Sequence, residues 1–179
     1  MPPIAHLGYT PPRGSLRSNK PAVRSPTGIF PRWISRDPEY NLREVAPRLF
    51  VGAEQAPLLA PRIKWTAIVD FYGEGAKPDR CTWYQHSAVL RWPFLDGDNF
   101  PVGCLDAVRS FVAGQIRDGP VLIHCQAGLS RSASAAYGLL RTAGLSHEEA
   151  LRRVYASEPE FPRHATITSA REWARARRQ

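Results

Sequence analysis

One stretch constrains the chain more than any other. Pro120-Val121-Leu122-Ile123-His124 is an apolar run of strand length. Cys125-Gln126-Ala127-Gly128-Leu129-Ser130-Arg131 follows as a loop, and an Ala-rich helix is expected from about Arg131 to Thr142, ended by Gly144. A strand feeding a helix through a small-residue loop builds an anion cradle. The first backbone N–H groups of the helix lack intrahelical acceptors, and its dipole is positive there. Small residues let the backbone curl around a tetrahedral oxyanion, and Arg131 can add a bidentate fork to two of its oxygens.

The surrounding pattern agrees with an α/β domain. Arg48-Leu49-Phe50-Val51-Gly52, Thr66-Ala67-Ile68-Val69-Asp70-Phe71 and the segment from Trp83 to Trp92 read as strands. Residues 55–63 suggest a short helix, and residues 73–80 are turn-rich. Leu105, Val108, Val112 and Ile116 share one face of an amphipathic helix, with Asp106, Arg109 and Arg117 away from it. Ser146 and Glu149 form a capping box for a helix that buries Leu151, Val154 and Tyr155, and a last helix spans about Ala165 to Arg177. Strands alternating with helices predict a central, mainly parallel sheet of four to five strands flanked by helices. No internal repeat is visible.

Residues 1–40 differ. They hold eight of the seventeen prolines and show no helical or strand period, so they are expected to form a largely irregular extension before a domain over 41–179. Ile29-Phe30 and Trp33-Ile34 are candidates to dock its end on the core. The net charge is +8, and residues 1–43 carry seven Lys/Arg against two acids. Arg13, Arg17, Lys20, Arg24, Arg32 and Arg36 suit an acidic partner or an anionic surface, whereas the domain itself needs no nucleic-acid explanation. No apolar run approaches the roughly 18 residues of a membrane span. No secretory signal opens the chain, and three cysteines form no disulfide framework, so a reducing cytoplasm is the expected compartment.

A thiol with a pKa near ~8.5 is only a few per cent ionised at pH 7. Making a nucleophile of Cys125 asks for about 3–4 kcal/mol of thiolate stabilisation, more than the ~0.3–1 kcal/mol typical of a helix dipole. The loop N–H groups, Arg131 and the Ser132 hydroxyl must therefore act together. The cysteines are too far apart for metal-ligand spacing, and Gly-Lys-Ser/Thr of a nucleotide-binding loop is absent.

His124-Cys125-Gln126-Ala127-Gly128-Leu129-Ser130-Arg131-Ser132 resembles the His-Cys-x-x-Gly-x-x-Arg-Ser/Thr signature of the protein tyrosine phosphatase superfamily, in the form of its dual-specificity branch. Leu49-Phe50-Val51-Gly52 is similar to that branch's opening strand, and Ala67-Ile68-Val69-Asp70-Phe71 with Glu74 to the next one in its compact members. The resemblance implies the cysteine-phosphatase fold and a two-step hydrolysis of phosphomonoesters without metal or cofactor. In it Cys125 is the nucleophile, and Arg131 with residues 126–130 binds the phosphoryl oxygens. Ser132 helps the thiolate leave, and His124 orders the loop. A general acid is implied about thirty residues upstream. Asp96, 29 residues before Cys125 and directly after Pro93-Phe94-Leu95, is favoured over Asp98, which suits a turn beside Gly97. Arg163-His164 after Pro162 departs from the Pro-Asn that often precedes the family's last helix. Neutral Gln126 and Leu129 favour a phosphorylated protein, phosphotyrosine first and phosphoserine or phosphothreonine with it, over a phospholipid or other small phosphoester. A non-catalytic phosphate-binding module is the remaining class. Cys81 and Cys104 are read as core packing, with disulfide rescue of an oxidised Cys125 as the alternative.

Overall fold

The computed structural model describes residues 31–59, 62–72, 86–155 and 164–178. Among the described residues six strands form one sheet: β1 (Arg32–Ser35), β2 (Leu42–Ala46), β3 (Leu49–Gly52), β4 (Ala67–Asp70), β5 (Ala88–Arg91) and β6 (Val121–His124), in the order β1-β2-β3-β6-β4-β5. β3, β6, β4 and β5 pair in parallel, while β1-β2 and β2-β3 are antiparallel. Four α-helices among the described residues flank the sheet: α1 (Cys104–Gln115), α2 (Arg131–Thr142), α3 (His147–Tyr155) and α4 (Ala165–Ala176).

The central strands bury both faces, which is why they read as continuous apolar runs. On one face Leu49, Val51, Ala67, Val69, Val121 and Ile123 meet the helices. On the other, Phe50, Ile68 and Leu122 join Leu42, Ala56 and Trp65 in a smaller core. Residues 131–140 of α2 are all buried. Small side chains make that possible: a Cβ on Gly138 would already press on the Trp173 ring of α4 at 3.3 Å. The amphipathic face of α1 is as expected, with Leu105, Val108 and Val112 buried, and the Ser146 hydroxyl caps α3 by accepting from Glu149 N at 3.1 Å.

Three expectations change. The sheet has six strands rather than four or five. The added β1 lies inside the segment expected to be irregular, and Ile34 packs on the smaller core. The helix expected over residues 55–63 is only a 3-10 turn, Ala56–Leu59, within a stretch where Pro57 and Pro61 lack backbone donors. Residues 1–30, with Ile29-Phe30 and four of the arm's cations, lie outside the described residues, as do Glu74, Cys81 and Arg163.

Candidate active site

The parallel register brings the carboxyl ends of β3, β6 and β4 side by side, with His124 opposite both Gly52 and Asp70. In open α/β sheets this edge is where ligands bind. Cys125 is the first residue past β6; it is 2% exposed, and its Sγ lies 3.2 Å from the Ser132 Oγ on α2.

The loop after it is held by its carbonyls. Gln126 O accepts from Glu54 N at 2.9 Å, Ala127 O from Asn41 Nδ2 at 2.8 Å, and Gly128 O from Arg43 Nη2 at 3.0 Å. Three successive carbonyls are thus taken by neighbouring structure. None of the backbone N–H groups of residues 126–133 donates a hydrogen bond among the described residues. This is the donor-rich concavity that an oxyanion needs. Gly128 has φ +71, and a Cβ there would meet the backbone of Gly52 and Ala53 at 2.7–2.8 Å, so only glycine fits.

Arg43 organises this support. It is 1% exposed and also donates through Nε to Val154 O of α3 at 2.6 Å and through Nη1 to the Asn41 carbonyl at 3.2 Å. Burial pulls its pKa down to about 10, still cationic at neutral pH. A buried cation of this kind persists only because every face of its guanidinium has an acceptor.

Arg131, the first residue of α2, is anchored through Nη1 to the carbonyls of Phe71 and Phe94, each at 2.7 Å. Its Nε makes no hydrogen bond among the described residues and lies 3.4 Å from Asp96 Oδ1. The fork is therefore fixed at one nitrogen and available at another. Phe94 and Phe100 bracket the loop that carries Asp96 and pack edge-to-face on buried Phe71, with ring centroids 5.6 and 5.7 Å away. Asp96 stands out from this support, its side chain 58% exposed. Asp98 contributes its carbonyl, which accepts from Thr166 Oγ1.

His124 is fully enclosed beside Asp70, Nε2 to Oδ1 3.6 Å, and Asp70 also binds Tyr72 N and Arg91 Nε. Burial holds the His124 pKa below the ordinary imidazole range; Asp70 and the Cys125 backbone pull it up without reversing the shift. His124 is thus a neutral link between β4 and the start of the loop.

The structure brings His124, Cys125, residues 126–130, Arg131, Ser132 and Asp96 to one place. Sequence reasoning missed Asn41 and Arg43. Their only signal is an Asn-x-Arg at the start of a short strand that also carries Glu44. Cys104 is buried at the start of α1, and desolvation pushes its thiol up to about 12, as fits a packing residue.

The sequence matches no protein-family model and no curated protein. Its likeness is to solved structures. Human DUSP28 is 25% identical over 77% of this chain and 95% of its own, with a TM-score of 0.65. Pseudomonas aeruginosa TpbA in complex with phosphotyrosine is 24% identical over 86% and 91%, with a TM-score of 0.61. PTPMT1 in complex with PI(5)P shares the fold at 16% identity over 76% and 96%, with a TM-score of 0.63.

Proposed function

For a chain that belongs to the dual-specificity branch of the protein tyrosine phosphatase superfamily, we propose hydrolysis of phosphomonoesters through a phosphocysteine at Cys125. The observation that carries this reading is the buried Cys125 Sγ at the mouth of a loop with unspent N–H groups, flanked by Ser132 and Arg131.

The Cys125 thiolate attacks phosphorus, forming an S–P bond as the P–O bond to the leaving group breaks. Asp96 gives its proton to the departing oxygen. The loop N–H groups and Arg131 hold the three equatorial oxygens, most tightly at the transition state. Water then attacks the phosphocysteine, Asp96 takes its proton, and the S–P bond breaks to release inorganic phosphate. The Ser132 hydroxyl, 3.2 Å from Sγ, donates to the sulfur as its charge returns.

Phosphotyrosine in protein is the preferred substrate in this reading. Leu95 and Leu129, 67% and 55% exposed, flank the acid and the loop with apolar surface suited to an aromatic ring. The loop offers no Lys or Arg before Arg131 for the further phosphates of an inositide head group. Phosphotyrosine occupies TpbA, whereas PTPMT1 holds PI(5)P. Described Cys104 and Cys125 are free thiols, in keeping with a cytoplasmic setting. Among the described residues no helix is long and apolar enough to cross a membrane. The basic extension expected over residues 1–40 is proposed as an arm for an acidic partner or anionic surface; deletion of residues 1–30, which spares β1, is expected to leave turnover of a small substrate intact.

Aryl phosphate turnover in chelator tests the chemistry. Wild type is expected to be active and inhibited by vanadate, and Cys125→Ser to be inactive; robust turnover by the serine variant sinks the mechanism. A phosphotyrosine peptide is expected to outperform a phosphoinositide, and the reverse ranking overturns the substrate assignment.

A further inference from the structure

The acid loop, residues 93–99, is exposed at every position but Phe94. Among the described residues no backbone–backbone hydrogen bond ties residues 93–100 to the rest of the domain, and Asp96-Gly97 forms a local turn. Its main chain is instead tied to the domain by three side chains. Arg131 holds the carbonyl of Phe94, before the acid. Beyond the acid, Thr166 Oγ1 donates to Asp98 O at 2.7 Å, and Ser169 Oγ accepts from Phe100 N at 3.1 Å. Both of these residues lie on the first turns of α4.

The α4 hydroxyls are themselves oriented. Ser169 Oγ donates to Thr166 O at 3.0 Å, which commits its proton and leaves a lone pair for Phe100 N. Thr166 is completely buried. His164 caps the helix that carries them, its Nδ1 accepting from Ile167 N at 3.3 Å. That bond requires an unprotonated Nδ1, and burial keeps the His164 pKa below the ordinary range despite the nearby Asp96 carboxylate.

We propose that Thr166 and Ser169 are positioning residues for catalysis: they clamp the far side of the acid loop to α4 and so hold Asp96 over Arg131. Neither touches substrate. The inference rests on the assignment of Asp96 as the general acid. A loop with a single Arg131 tether and no backbone ladder samples many positions of Asp96, and proton delivery falls with the fraction that is correctly placed. The loss should therefore depend on how much the leaving group needs a proton.

The test is a series of aryl phosphates with leaving groups from good to poor, hydrolysed by wild type, Asp96→Ala, Thr166→Val, Thr166→Ser and Thr166→Val/Ser169→Ala. Asp96→Ala is expected to steepen the leaving-group dependence of kcat/KM, which reports the step in which the leaving group departs. Thr166→Val and the double variant should steepen it in the same sense, with about a fivefold to tenfold loss on the poorest leaving group and under about twofold on the best. Thr166→Ser, which keeps the donor, should restore the wild-type slope. If Asp96→Ala steepens the dependence while the α4 variants lose activity evenly, or not at all, the clamp is overturned. A flat dependence in Asp96→Ala overturns the acid assignment and the clamp with it.

Discussion

The phosphate loop and the acid loop meet at Arg131 but are held in opposite ways. The first has three successive carbonyls bonded to Glu54, Asn41 and Arg43, a glycine that admits no side chain, and Cys125, 2% exposed. The second is exposed, carries no backbone ladder among the described residues, and rests on two aromatic side chains and three hydrogen-bonding ones. Binding an oxyanion demands donors fixed before it arrives, because reorganisation would consume the interaction. Delivering a proton and then collecting one demands access to leaving group and water. The preorganised part is therefore built into the core, and the loop proposed to handle protons is fastened at its margin.

This contrast separates stability from activity. The largest joint effect is expected for Gly128→Ala. The φ of +71 and a Cβ 2.7 Å from the Gly52 carbonyl carbon should destabilise the fold by about 3 kcal/mol or more and abolish turnover, read by chemical denaturation and kinetics. Asp96→Ala belongs to the other class: about 10²-fold or more in kcat for a poor leaving group, with stability within about 0.5 kcal/mol because the side chain is 58% exposed. A similar stability loss in both variants would erase the distinction.

Asn41→Gly is a finer probe. Asn41 has φ +34, which glycine accepts, so the variant removes the side chain's two bonds, the one donated to Ala127 O and the one its Oδ1 accepts from Arg43 Nη1 at 3.3 Å. A loss of about 1 kcal/mol in stability is expected, together with weaker vanadate binding and an unchanged leaving-group slope. A changed slope would mean that the two loops are not independent.

The smallest effect concerns pH. Burial lowers the pKa values of His124, His147 and His164 relative to the unfolded chain. The unfolded chain therefore binds their protons first. Their contribution to stability is complete above about pH 6.5 and is lost as pH falls through the lower folded values, at most about 1.4 kcal/mol per pH unit for each group. His124→Asn should flatten the decline in melting temperature between pH 7 and 5; an unaltered decline would assign it elsewhere.

The phosphate loop was legible in the sequence because strand, cradle, fork and helix are contiguous from Val121 to Thr142. The place of Asp96 beside Arg131 agrees with what its spacing and Pro-x-x context, read through the family resemblance, led one to expect; its role as acid is a proposal. What holds the phosphate loop was not legible. Asn41 and Arg43 lie more than 80 residues before the carbonyls they bind, and a charged residue in a short strand reads as a surface position until the fold buries it. β1 was hidden by the prolines around it, and β2 by Arg43 and Glu44, which interrupt its apolar period. The α4 hydroxyls carry no motif; their meaning comes from the loop that packs beside them.

The central claim is that phosphorus is transferred to Cys125. Acid-quenching the full chain during turnover of a phosphotyrosine peptide, then mapping the modified peptide by mass spectrometry, tests it directly. The expected result is one phosphoryl group on Cys125, absent from Cys125→Ser. A phosphoryl group on another residue, or turnover that persists without Cys125, would contradict it.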